Sequence, residues 1–119
     1  MEAHFQFEEL IVYQKTLLFI DRVYEVTAKF PQVELYSLTS QFKRAANSIA
    51  LNIGEGSGGT KKEFAHFLRI AFRSLRECVV CIQIAHMRKY IDTSIREELR
   101  NILAEISKML SGLTKSLSV

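Results

Sequence analysis

The chain has 119 residues, with 16 Lys and Arg against 13 Asp and Glu for a formal net charge of +3, and 48% of its residues are apolar. This is the profile of a globular protein able to bury a core without disulfides or metals, and one domain spanning residues 1–119 is expected. No apolar run approaches the roughly 18 residues that span a bilayer, and Met1-Glu2-Ala3-His4 lacks the basic and apolar regions of a secretory leader, so the sequence reads as cytoplasmic, without a membrane partner and with Cys78 and Cys81 reduced.

The first periodic segment runs from about Glu8 to Lys29. Leu10, Tyr13, Leu17, Ile20 and Tyr24 follow 3-4-3-4 spacing along one side of a helix, and Val12, Phe19, Val23, Val26 and Phe30 form a second row beside them. Two rows make a face wider than one bundle core needs. Either this helix is central or it buries the second row against another subunit. Pro31 stops it, because proline disfavours helical geometry in the residue before it.

A second helix is expected from a Ser37 N-cap to a Gly54 stop, with Leu38, Phe42, Ala45, Ile49 and Ile53 as its apolar line. Ala45, Ala46, Ser48 and Ala50 would let a neighbouring helix approach closely. The third helix opens with Thr60 and Glu63 at capping-box spacing and carries Phe64, Leu68, Ala71, Leu75, Cys78, Ile82 and Ala85 to about Tyr90. The fourth opens with Ser94 and Glu97 at the same spacing, and its seam is Ile95, Leu99, Ile102, Ile106, Leu110, Leu113 and Leu117. No strand, internal repeat or interdomain linker is visible. The fold expected is all-α, an up-down four-helix bundle.

Charge is unevenly spread. Residues 1–42 hold three bases against six acids, residues 43–89 nine against three, and residues 90–119 four of each. A basic centre suggests a polyanionic partner, unless its bases pair with the acidic first helix. On the third helix Lys62, His66, Arg69, Arg73 and Arg76 follow steps of 4, 3, 4 and 3, roughly opposite the seam. Such a line can track a phosphate backbone, or it can be an ordinary solvated face. With Lys61 it forms the candidate surface for RNA or DNA.

On the second helix Gln41, Arg44, Ser48, Asn52 and Glu55 form a polar stripe beside the apolar line. The arginine fork suits a carboxylate or phosphate. The expected role is an interhelical network, with Arg44 paired to Glu55 or to Glu77, and the alternative is a polar pocket or subunit contact. Gly54-Glu55-Gly56-Ser57-Gly58-Gly59 matches G-x-G-x-x-G, yet a dinucleotide fingerprint must follow a strand. Thr60-Lys61 also reverses the order a phosphate loop requires. A permissive helix-to-helix turn is expected, with a phosphate of a larger polyanion held near Lys61 and Lys62 as the alternative.

Cys78 and Cys81 make a single C-x-x-C inside an apolar helix. Zinc needs about four ligands, so core packing is expected. His4, His66 and His86 show no catalytic spacing. The reading is no catalytic residue, no metal and no cofactor: a non-enzymatic bundle that binds nucleic acid, or a scaffold that recruits another protein through its wide apolar face and polar stripe.

Several segments together carry a family resemblance. They are Phe7-Glu8-Glu9-Leu10, Val12-Tyr13-Gln14-Lys15, Phe30-Pro31 with Glu34 and Tyr36, Leu38-Thr39-Ser40-Gln41, Arg44-Ala45-Ala46, Ser48-Ile49 and Asn52-Ile53-Gly54-Glu55-Gly56. Phe64, Phe67-Leu68, Ile70-Ala71, Ser74-Leu75 and Glu77 continue the match. The chain resembles the bacterial four-helix-bundle proteins encoded in intervening sequences of 23S ribosomal RNA genes. The resemblance implies a ring-shaped homopentamer without established enzymatic activity. It also suggests kinship with the nucleic-acid-binding accessory protein of diversity-generating retroelements. Tyr13, Arg73 and Cys78 stand where the family often has tryptophan, glycine and leucine.

Overall fold

A computed structural model describes residues 1–119. Four helices dominate: α1 (Ile11–Thr27), α2 (Leu38–Ser57), α3 (Lys61–Met87) and α4 (Thr93–Ser116). Short 3-10 turns at Gln6–Glu9 and Gln32–Glu34 precede α1 and α2. Each helix packs on its neighbours in sequence, and α4 returns to α1, closing an up-down four-helix bundle.

One core of 23 buried residues runs through the bundle. In α2 and α3 it is built from the expected lines, with Phe42, Ile49, Ile53, Leu68 and Ile82 fully enclosed. Burying each such side chain stabilises the fold by about 1.5–3 kcal/mol. Cys78 and Cys81 lie within this core. In α4, Leu99, Ile106 and Leu110 are buried as the seam predicts, together with Leu103, whereas Ile95, Ile102, Leu113 and Leu117 are half-covered.

The two rows of α1 exchange roles. Val12, Phe19, Val23, Val26 and Phe30 are the buried row, while Leu17 and Tyr24 of the other row are exposed. Thr16 and Thr27 complete the buried row by donating their hydroxyls to the carbonyls of Val12 and Val23 at 2.7 and 2.8 Å. Self-bonding of this kind makes a threonine behave as an apolar side chain. The first row, Leu10 to Tyr24, is the one left partly uncovered, with Leu10, Tyr13 and Ile20 resting against the edge of the core.

α2 does not stop at Gly54; it continues to Ser57 through two helical glycines. A Cβ on Gly54 would meet the Phe7 ring at 3.3 Å, and one on Gly56 would lie 2.5 Å from Phe67 Cβ. Both are close-approach sites rather than turn residues. Gly58, Gly59 and Thr60 alone connect α2 to α3.

The ends follow local chemistry. Ser37 makes no side-chain cap; Glu34 Oε1 accepts from Leu38 N instead, at 3.3 Å. At α3 the expected capping box forms: Glu63 N donates to Thr60 Oγ1 at 3.1 Å and Thr60 N to Glu63 Oε1 at 2.9 Å. α4 is capped by Asp92 rather than Ser94, with Ile95 N donating to its carboxylate at 2.8 Å. Lys89, at φ 65°, turns the chain out of α3. Tyr90 then bonds Glu34 at 2.7 Å and packs on Phe30, tying the two turns at one bundle end. On the far seam Arg22 grips Glu98 with two hydrogen bonds, 2.7 and 2.9 Å, and Lys15 reaches Glu105 at 2.7 Å, joining α1 to α4.

Candidate nucleic-acid interface

The core seam of α3 fixes its opposite face toward solvent. Lys61, Lys62, Arg69, Arg73 and Arg76 are all exposed, and none has a carboxylate within 4.0 Å. The ion pairs of the chain are instead His4–Glu9, Lys15–Glu105, Arg22–Glu25 and Arg22–Glu98, so the acidic first helix does not neutralise the basic centre. At 1.5 Å rise per residue the line from Lys62 to Arg76 spans about 21 Å. Beyond it the same face turns apolar at Val80, Ile84 and Met87.

Glu63 interrupts the basic line without pairing to it. Its carboxylate folds back onto Thr60, whose N–H donation holds the carboxyl below the usual range. The first donors of α3 are thus satisfied by its own side chains, and a negative group already occupies the place a phosphate would take. The glycine segment offers no flexible cradle either, since Gly54 and Gly56 are helical.

The polar stripe of α2 divides. Gln41, Arg44 and Ser48 line an open groove of about 790 Å³ between α2 and α3, opposite Ser74 and Glu77, with Tyr36 among its lining residues. Ser74 donates to Ser48 Oγ at 2.8 Å, and the Asn52 amide is held by Ser48 at 2.8 and 3.0 Å. Glu55 faces away from this groove, toward α1. The pairing of Arg44 with Glu55 or Glu77 does not form: Arg44 is exposed and makes no ion pair, because no carboxylate on either side comes within 4.0 Å. Ser74 was detectable as a polar residue one step from the α3 seam, and Tyr36 lies outside any helical period.

Between α1 and α2 lies a second groove of about 640 Å³, mainly apolar, lined by Tyr13, Leu17, Ile20, Ala50 and Leu51. Leu17 and Leu51, 44% and 67% exposed, leave much of their side chains in water there. Asn47 donates to Tyr24 Oη at 2.9 Å across its edge. Elsewhere, burial raises the thiol pKa of Cys78 beyond the usual range and that of Cys81 to about 11. No group of three or more His, Cys, Asp or Glu side chains is arranged to hold a metal ion. No helix is long and apolar enough to cross a membrane.

A protein of unknown function from the S23 ribosomal protein family of Bacteroides thetaiotaomicron VPI-5482 has a similar crystal structure, with TM-score 0.81 and 24% identity over 88% of this chain and 99% of that one. At that identity the likeness shows the fold alone. No curated protein matches the sequence. The model of the 23S rRNA-intervening sequence protein family matches residues 8–112. By that match over most of its length, on a bundle of the same architecture as a solved S23 protein, the chain belongs to the 23S rRNA-intervening sequence protein family.

Proposed function

We propose that this protein is a non-enzymatic, self-associating bundle, acting as one domain in the cytoplasm, that binds nucleic acid along the outer face of α3. The observation that carries the reading is the set Lys61, Lys62, Arg69, Arg73 and Arg76: five exposed cations on one helix, none neutralised by a carboxylate. Cations so placed displace the counterions condensed on a polyanion, and the released ions drive binding. Five contacts correspond to a log–log salt slope of about −4.5 on duplex DNA and about −3.5 on single strands. A salt titration of structured RNA and duplex DNA against wild type and Arg69→Glu/Arg73→Glu/Arg76→Glu tests this. Steep wild-type binding that collapses in the folded variant is expected; a folded wild type that binds neither at low salt overturns the reading.

Self-association is supported by the apolar groove between α1 and α2, where Leu17 and Leu51 face water. A ring of five copies is the form that the family resemblance implies. Sedimentation is expected to show oligomer for the wild type and smaller species for Leu17→Glu/Leu51→Glu. Only monomer at micromolar concentration overturns this part. The same groove supports a second reading, a scaffold for a different protein. It predicts a co-purifying protein that survives nuclease treatment.

A further inference from the structure

We propose that the polar groove between α2 and α3 seats one unpaired guanine of a single strand whose backbone runs along the basic face. The inference rests on the nucleic-acid reading above and deepens it. Position is the first argument. Ser74 and Glu77, which line the groove, alternate along α3 with Arg73 and Arg76, which point outward. A strand held by those arginines lies at the groove's edge. Size is the second: an open space of about 790 Å³ admits a base with its sugar.

Chemistry selects the base. Arg44 and Glu77 line the same groove, carry opposite charges and are not paired with one another or with any other side chain. A phosphate would use Arg44 and be repelled by Glu77. Guanine uses both: O6 and N7 form an acceptor pair matched to the arginine fork, and N1–H with N2–H₂ forms a donor pair matched to a carboxylate. The second edge is consumed by pairing in a duplex, so only an unpaired or looped-out guanine presents both. Tyr36, 92% exposed, adds an aromatic face of the kind on which splayed bases stack. An exposed tyrosine, a free arginine and a free glutamate in one groove have no role in holding the bundle together.

The test uses a short oligouridylate and its versions with one central G, A or C, made as RNA and, with thymidine for uridine, as DNA. Binding is read by fluorescence anisotropy with the full-length protein. The G-containing strand is expected to bind about tenfold more tightly than its parent in at least one sugar form. Glu77→Gln is expected to erase that preference while leaving the parent strand bound at least as tightly, since it removes a negative charge near the phosphates. Tyr36→Ala is expected to weaken every strand carrying a central purine. Equal binding of all four strands in both sugar forms, or a G preference that survives Glu77→Gln, overturns the groove assignment. Equal binding with a steep salt slope leaves the basic face standing; no binding of any strand at low salt removes both.

Discussion

Replacing Gly56 by alanine adds a methyl group where α2 lies tightly against Phe64 and Phe67 of α3. The new Cβ would lie 2.5 Å from Phe67 Cβ and 3.1 Å from both Phe64 Cδ1 and Phe67 Cγ. A Cβ is anchored to the backbone and cannot rotate away, so the helices must separate by about 1 Å or Phe67 must move with its turn. Overpacking of this kind costs about 3 kcal/mol at the upper end of its usual range. Alanine's greater helix propensity returns about 1 kcal/mol, leaving a net loss of about 2 kcal/mol. Gly112 provides the control, because it is also helical yet a Cβ there meets nothing within 4 Å. Gly112→Ala is therefore expected to stabilise by about 0.5–1 kcal/mol. At about 4 °C per kcal/mol for a domain of this size, Gly56→Ala lowers Tm by about 8 °C and Gly112→Ala raises it by about 2–4 °C. Thermal denaturation followed by circular dichroism at one fixed protein concentration reads both. A Gly56→Ala protein as stable as wild type would refute the close-packing account of α2 and α3.

Arg44→Ala is expected to leave thermal stability within about 0.5 kcal/mol of wild type, since an exposed, unpaired arginine holds nothing in place; a buried pair would cost about 3–5 kcal/mol. Glu98→Gln removes a bidentate pair that is partly solvated, so a loss of no more than about 1 kcal/mol is expected. The Arg22 hydrogen bonds lower the folded-state pKa of Glu98. The pair's contribution is thus full above the ordinary glutamate range and is lost as pH falls through the lowered one. Acid titrations of wild type and Glu98→Gln should converge at low pH. Cys78 and Cys81, buried with raised pKa values, should resist iodoacetamide at pH 8 in the folded protein and react once it is unfolded, as mass spectrometry would show. Rapid labelling of the folded protein would contradict their burial.

The bundle was legible where one apolar period stood alone. The α3 seam from Leu68 to Ala85 is buried as its spacing predicts, and so is the α2 line from Leu38 to Ile53. On α1 two rows share the same period, and periodicity cannot say which faces inward. Counting Thr16 and Thr27 as apolar would have tipped the choice, for both hydroxyls bond within their own helix. Gly54 resembled a stop because glycine commonly ends helices; Phe7 and Phe67, which explain Gly54 and Gly56, are distant in sequence and meet them only in the fold. The α3 bases are as exposed as their phase predicts. The fate of Arg44 depends on where Glu77 sits along α3, and no spacing within α2 encodes that.

The three-residue link between α2 and α3 also bears on how the chain reaches this structure. Two long helices joined so tightly form their contacts after closing a very short loop, at small entropic cost. The grip of Arg22 on Glu98 joins residues 76 positions apart and must await nearly the whole chain. Local contacts of the first kind set fast folding rates, and distant ones are added later. Trimming Ile49 or Leu75 should therefore slow refolding, whereas loosening the α1–α4 seam should mainly hasten unfolding. Such a chain assembles from its middle outward, and its two end helices are the last to arrive and the first to leave.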